Sequence, residues 1–411
     1  MALVQAARLQ TVLVAIACCG AGLSCISEDR PEVVLPPGLD AGQEASLQER
    51  EDAEEPEGGQ DASIEGAAID GDAETLTTTP GLVPTARDAT DAESPAELRS
   101  EALLMAVSAG ARGIVVERDW SALTDASGAP SSQAWAELEA IASFLRERRV
   151  EMLLQVRIVD TTIDRRPSGI ASSAWNLSAT RTAMHALIDR LYATCGEELR
   201  TLSLGEQLDV YVQRHPAQAS AFTQLAAEAL EYAKTHPNKP SLTQVGWTWS
   251  AAAWLPPNAG IDSANALLSG SDIVALSYYP LDVTLHARPP SVVAGDIAIL
   301  VDRIKDKPIV MQHASYPSSA LIGGSEDAES QFVEGLFASV QTHRDRFAFV
   351  GIASLHDPAP EECLRFAAAQ GLPASAELFA FWCSTGLRQR DGTAKAAFAS
   401  FVAGASASLG P

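Results

Sequence analysis

Cysteine is scarce in this chain, and its placement excludes much chemistry. Of six cysteines, Cys18, Cys19 and Cys25 crowd the first 25 residues, and only Cys195, Cys363 and Cys383 lie beyond them. There is no CxxC pair and no Cys/His cluster at metal-ligand spacing, so no metal is expected. No GxGxxG or Walker motif follows any strand-like run, so no nucleotide cofactor is expected either. Positive charge is also short: 29 basic residues face 53 acidic ones, a formal net charge of −24. A chain this acidic excludes nucleic acid as a partner. The apolar run Thr11 to Ala17 is too short to span a bilayer.

That run, preceded by the single basic side chain Arg8 and followed by small residues and cysteines, reads as a secretion signal within residues 1–25. Ala15-Ile16-Ala17-Cys18 resembles a bacterial lipobox, which implies acylation at Cys18 and a location in the cell envelope or outside the cell. Ordinary signal cleavage with incidental cysteines is the bland alternative. Membrane contact is expected only through this lipid anchor.

From Ile26 to Ser94 there are 19 acidic residues, three Arg and no aromatic residue. Such a segment cannot bury enough apolar surface to offset the entropy of ordering. It predicts a disordered acidic tether over residues 26–72, extending at most to 94, with the folded domain over 73–411.

Beyond the tether, short apolar runs alternate with helical patterns. Strands are predicted at 112–117, 150–159, 199–204, 241–249, 273–278, 308–312 and 347–355, with a weaker first strand within 74–82. Helices are predicted over 95–109, 132–149, 178–194, 217–235, 292–305 and 326–343. Short apolar strands in strict alternation with helices suit a parallel sheet buried on both faces, and this length favours a (β/α)₈ TIM barrel. In an oxidising compartment Cys363 and Cys383 could pair, leaving Cys195 as a buried free thiol.

A barrel places its site at the carboxyl ends of the strands. The residues delivered there include Glu117 to Trp120, Arg157, Asp160, Glu206, Gln207, Asp209, Trp247, Trp249, Tyr278, Tyr279, Gln312, His313, Tyr316, His356 and Asp357. Carboxylates, amides and aromatic rings converging on one mouth suit a polysaccharide or oligosaccharide. The expected sugar-contacting set is Trp120, Arg157, Asp160, Trp247, Trp249, Tyr278, Gln312 and Tyr316. Polar and aromatic residues also end the strands of barrels that bind no sugar, so this set alone does not fix the partner.

Several segments carry a resemblance. Trp120-Ser121-Ala122-Leu123, Asp160-Thr161 with Arg165-Arg166-Pro167, Ser277-Tyr278-Tyr279-Pro280-Leu281, Gln312 to Ser319, and Gly386-Leu387 to Lys395-Ala396 occur in the order seen in (β/α)₈-barrel retaining β-glycosidases. The chain looks like bacterial glycosidase-like lipoproteins of the endo-galactanase type. The resemblance implies two catalytic glutamates about 5–5.5 Å apart, an acid/base after strand four and a nucleophile after strand seven. Gly205-Glu206-Gln207-Leu208-Asp209-Val210-Tyr211 resembles Gly-Asn-Glu-Val-Asp-x-Tyr and puts Gln207 at the acid/base position. Gln312-His313-Ala314-Ser315-Tyr316-Pro317-Ser318 resembles Gln-Glu-x-Gly-Tyr-Pro-Ser and puts His313 at the nucleophile position. With both positions substituted, a pseudoenzyme is expected. Two alternatives keep activity: Glu206 as general acid with Asp282 or Asp357 as a second carboxylate, or a Glu206–His313 acid/base pair.

Overall fold

The computed structural model describes residues 78–89, 93–256, 265–369 and 375–408. The expected signal region with Cys18 and the expected tether over 26–72 lie outside the described residues. What is described is a closed barrel of eight parallel strands: β1 (Thr79–Leu82), β2 (Gly113–Asp119), β3 (Glu151–Asp160), β4 (Leu199–Glu206), β5 (Gln244–Ser250), β6 (Ile273–Tyr278), β7 (Ile309–Ala314) and β8 (Phe347–Ile352). Each strand pairs with its sequence neighbour, β8 pairs back onto β1, and the ring is complete.

The helices that follow the strands in turn are α1 (Pro95–Ser108), α2 (Ser132–Arg148), α3 (Ser178–Cys195), α4 (Ala219–Thr235), α5 (Asn265–Gly270), α6 (Val292–Arg303), α7 (Glu326–Thr342) and α8 (Ala396–Ser408). α1 begins at a capping box: Ser94 Oγ accepts from the Glu97 N–H while the Glu97 carboxylate accepts from the Ser94 N–H. This is a (β/α)₈ TIM barrel.

Two apolar layers hold it. The larger lies between strands and helices and takes the outward face of each strand, for example Val245, Trp247 and Trp249 on β5. The smaller fills the lower barrel interior with Val83, Val115, Leu153, Ile273, Ala275, Val310 and Phe349. Phe349 occupies space that side chains on β1 and β2 would otherwise need. A Cβ on Gly81 would lie 1.9 Å from the Phe349 ring, and one on Gly113 2.5 Å from it. The two glycines and the ring are one packing solution.

The segment between β8 and α8 carries two further helices, Pro360–Ala369 and Ala376–Trp382. A Cys363–Cys383 disulfide joins them. They bury Leu378, Phe381 and Trp382 with Leu285 and Ile322 in a separate apolar cluster. Cys195 is a buried free thiol, and burial pushes its pKa up to about 12. Lys395, at the start of α8, lies 2.8 Å from the Asp357 carboxylate and 3.6 Å from that of Glu329 on α7. That buried cluster ties the last helix to the ring.

Candidate functional site at the barrel mouth

Six strands send polar side chains inward above the apolar layer. Strand periodicity decides most of them, since every second residue faces the axis. The left-handed Gly205 on β4 and an irregularity at Gln312 on β7 shift the phase and bring Glu206 and His313 inward as well. β2 contributes Glu117 and Asp119, β3 Gln155 and Arg157, β4 Ser203 and Glu206, β5 Thr248, β6 Ser277 and β7 Gln312 and His313. β3 shifts register between Val156 and Asp160. Asp160, at its end, accepts from Arg165 Nε at 3.1 Å.

At the centre an imidazole sits between two carboxylates. His313 Nε2 is 2.8 Å from Glu117 Oε1, and His313 Nδ1 is 3.8 Å from Glu206 Oε2. Ser277 Oγ donates to Glu206 Oε1 at 2.6 Å and lies 3.4 Å from His313 Nδ1. Gln155 Nε2 donates to the other Glu206 oxygen and, at 3.3 Å, to Thr248 Oγ1; the Thr248 hydroxyl donates to Gln312 Oε1 at 3.1 Å. A second set of charges covers this one. Arg157 Nε donates to Asp119 at 2.7 Å and Arg157 Nη1 lies 3.9 Å from Glu117. Arg165 spans Asp119, at 3.5 Å, and Asp160.

Burial shapes the electrostatics. It pushes the Glu206 carboxyl up to about 7, against the pull of His313, Ser277 and Gln155. For His313 burial disfavours the imidazolium, but Glu117 and Glu206 outweigh it, and the pKa rises above the usual histidine value. Arg157 is likewise desolvated, yet Asp119, Glu117 and Asp160 keep it firmly charged. His313 is 1 % exposed and Glu206 2 %. A sugar therefore has no path to them in this conformation.

The sequence-derived positions divide sharply. Arg157, Asp160, Glu206, Gln312 and His313 lie together at the carboxyl ends of the strands. The five aromatic residues do not face the mouth, which corrects their assignment as sugar platforms. Trp247 and Trp249 flank the inward Thr248, so both point into the helix-facing core, and Trp247 meets Phe222 of α4 edge-on. Tyr278 follows the inward Ser277; its hydroxyl donates to Asp296 on α6 at 2.8 Å and its ring stacks near Phe332 of α7. Tyr316 donates to the Arg288 carbonyl at 2.8 Å beside the same Phe332. Trp120 is buried in the short helix Trp120–Leu123. An aromatic residue near a strand end reports position along the strand, not which face it occupies.

Gln207 lies just past β4, fully buried, with φ +47° and ψ 61°. Neither oxygen nor nitrogen of its side-chain amide has a hydrogen-bond partner. Gly205, at φ +73°, leads into this turn, and a Cβ there would lie 2.7 Å from Leu208. The two alternative carboxylates serve other ends. Asp282 caps its own turn by accepting from Thr284 and His286, and Asp357 pairs with Lys395 and the Gly386 N–H. Neither joins Glu206, so neither completes an inverting pair.

Ser277, Gln155 and Thr248 were not singled out from sequence. Their signal was the inward phase of strands whose interior positions turn from apolar to polar toward the carboxyl end. Among the described residues no group of three or more His, Cys, Asp or Glu side chains is arranged to hold a metal.

No protein-family model and no curated protein sequence matches the chain. Solved structures do share its fold. A GH5_18 glycoside hydrolase from Bifidobacterium longum subsp. longum superposes with a TM-score of 0.60 at 14 % identity, covering 82 % of this chain and 80 % of that one. One from Streptomyces cattleya in complex with GlcNAc gives 0.60 at 13 % identity, covering 82 % of each. The exo-β-1,4-mannosidase Op5Man5 from an Opitutaceae bacterium gives 0.60 at 13 % identity, covering 80 % of this chain and 59 % of that one. The chain thus has the barrel found in these glycoside hydrolases, at identities that carry the fold alone.

Proposed function

We propose that the protein is a glycoside-hydrolase-like barrel that binds a glycan and has lost retaining hydrolysis. It is exported and anchored in the cell envelope through an acylated Cys18. One observation carries the loss of hydrolysis: His313, at the nucleophile position of the resemblance, is held between Glu117 and Glu206, while the acid/base position is Gln207. An amide has no acidic proton for a leaving oxygen, and a paired imidazole is a poor nucleophile at an anomeric carbon. The glycan reading draws support from the fold it shares with glycoside hydrolases, among them GH5_18 enzymes solved with Manβ1-4GlcNAc. β-Mannosyl oligosaccharides are therefore the first ligands to try.

A second reading is favoured by one specific feature. A buried carboxyl with its pKa near 7 is suited to general-acid work, so Glu206 would protonate a leaving group in an enzyme of altered mechanism. One experiment separates the two. The purified protein is incubated with β-mannans, β-galactans and xylans, and reducing-end release and calorimetric binding are followed together. Binding without release is the expected result. Release abolished by Glu206→Gln overturns the first reading in favour of the second, and absence of both binding and release overturns both.

A further inference from the structure

The mouth is covered by a short strap that turns back on β3. Ile163 and Asp164 pair antiparallel with Asp160 and Val159, and the Arg165 N–H donates to the Ile158 carbonyl at 3.1 Å. The two ends of the strap carry the contacts that reach across the mouth. The strap runs from Thr161 to Arg166, crossing from the end of β3 toward the end of β2, where the Ser121 N–H donates to the Arg165 carbonyl at 2.9 Å. At its root Thr161 has φ +57°. A β-branched residue with positive φ is a strained outlier and persists only when its surroundings impose it. What imposes it is visible: the Thr161 N–H donates to the Glu206 carbonyl at 3.0 Å. Glu206 is itself followed by the second left-handed residue, Gln207. Two strained non-glycine residues thus flank the same glutamate. At its far end the strap is pinned by Arg165, on Asp119 and Asp160.

We propose that the proton on Glu206 sets whether the strap 161–166 is latched across the mouth, closed when Glu206 is neutral and open when it ionises. The inference rests on reading this mouth as the glycan site and names how that site is regulated.

Charge balance gives the reason. The groups facing Glu206 are Glu117 and Asp119 from β2, Arg157 and Asp160 from β3, Arg165 from the strap and His313 from β7, with neutral Gln155, Thr248 and Ser277 from β3, β5 and β6. Two further titratable groups near the strand ends are engaged elsewhere. Asp209, three residues past Glu206, accepts from the Ser250 N–H at 3.0 Å, and His356, past β8, is engaged with the Thr85 carbonyl at 2.7 Å. With Glu206 neutral and His313 charged, three cations face three carboxylates. Ionising Glu206 leaves one buried negative charge without a counterpart, which a water-excluded interior tolerates poorly. Hydration relieves it, and the route for water is the strap. Arg165, its side chain 20 % exposed, is the most exposed member of the set, and releasing Thr161 discharges backbone strain.

The test is amide hydrogen exchange of residues 161–166 in the full chain, corrected for intrinsic rates, at about pH 5.5 and about pH 8.5. If latching changes the proton affinity of Glu206 by one pH unit, strap protection falls about tenfold at the higher pH while the β8 amides stay protected. Glu206→Gln keeps the shape without the titration and removes the step. Ser277→Ala removes a donor that favours the ionised carboxylate and moves the step to higher pH, so the test survives a poorly folded Gln variant. Flat protection in the wild type, or an unchanged step in either folded variant, overturns the proposal. None of these readouts needs glycan, so a latch failure and a failure to bind sugar are distinguishable.

Discussion

The lower and upper halves of the barrel interior solve the same problem in opposite ways. Below, Phe349 is accommodated by Gly81 and Gly113, and Val83, Val115, Leu153, Ile273, Ala275 and Val310 pack around it without a charged group among them. Above, the same strands deliver Glu117, Arg157, Glu206 and His313, nearly as buried but held by charge pairing and hydrogen bonds. The apolar half gains from every contact. The polar half sets desolvation against pairing and yields little net stability, so it invites a functional explanation.

Removing the keystone of the lower half should have the largest effect. Phe349→Ala leaves a cavity bounded by glycines that cannot fill it, and the expected loss is about 3–5 kcal/mol in urea unfolding. A loss under about 1 kcal/mol would show that the ring is not central to the packing.

The upper half should betray itself by pH. The folded chain holds the Glu206 proton to about pH 7, whereas the unfolded chain releases it near 4.5. This group's contribution is therefore complete below pH 4.5 and is lost as pH rises through 7. That loss is about 3 kcal/mol, and His313, whose pKa is also raised, acts in the same direction. Unfolding measured across that range should show the decline in the wild type and a much flatter profile in Glu206→Gln. Phe349→Ala should lower the curve without changing its slope. A slope unchanged in Glu206→Gln would assign the titration elsewhere.

The disulfide lies outside both halves. Cys383→Ser releases the link between helices Pro360–Ala369 and Ala376–Trp382, and the expected cost is about 2–3 kcal/mol. That cost should fall on the small cluster around Trp382, with hydrogen exchange in β1 to β8 unchanged. A uniform loss of protection would mean the two clusters unfold as one.

How much of this was legible in the sequence follows the same divide. Strand and helix order, and the barrel, came from alternating apolar runs because parallel strands buried on both faces must be apolar. Helices α5 and α8 were missed. The six residues of α5 hold too little of the 3.6-residue period to register, and α8 is built of Ala, Gly, Ser, Phe and Val with no charged face to set an apolar stripe against. The charged members of the site were legible as strand-end residues, since chemistry limits what sits there. Face was not. Trp247 and Trp249 sit one residue either side of Thr248, and only the register of β5 shows that the threonine points inward. Sequence also could not show that Arg165, five residues beyond β3, returns to close the mouth. That depends on the reversal at Thr161, a residue type with little preference for φ +57°.

The smallest predicted effect is the most discriminating for the upper half. Thr161→Gly removes the steric cost of a left-handed threonine, about 1–2 kcal/mol. It also gives the unfolded chain more freedom, which costs about 0.4–1 kcal/mol. The net expectation is a gain of a few tenths to about 1 kcal/mol. A substitution to glycine that stabilises is unusual, and it should also deepen strap protection at high pH, because the latched backbone is then relaxed. If stability falls instead, the Thr161 hydroxyl contact to Asp160 at 3.3 Å outweighs the strain. The left-handed turn would then be a settled feature of the mouth, with no strain available to drive its opening.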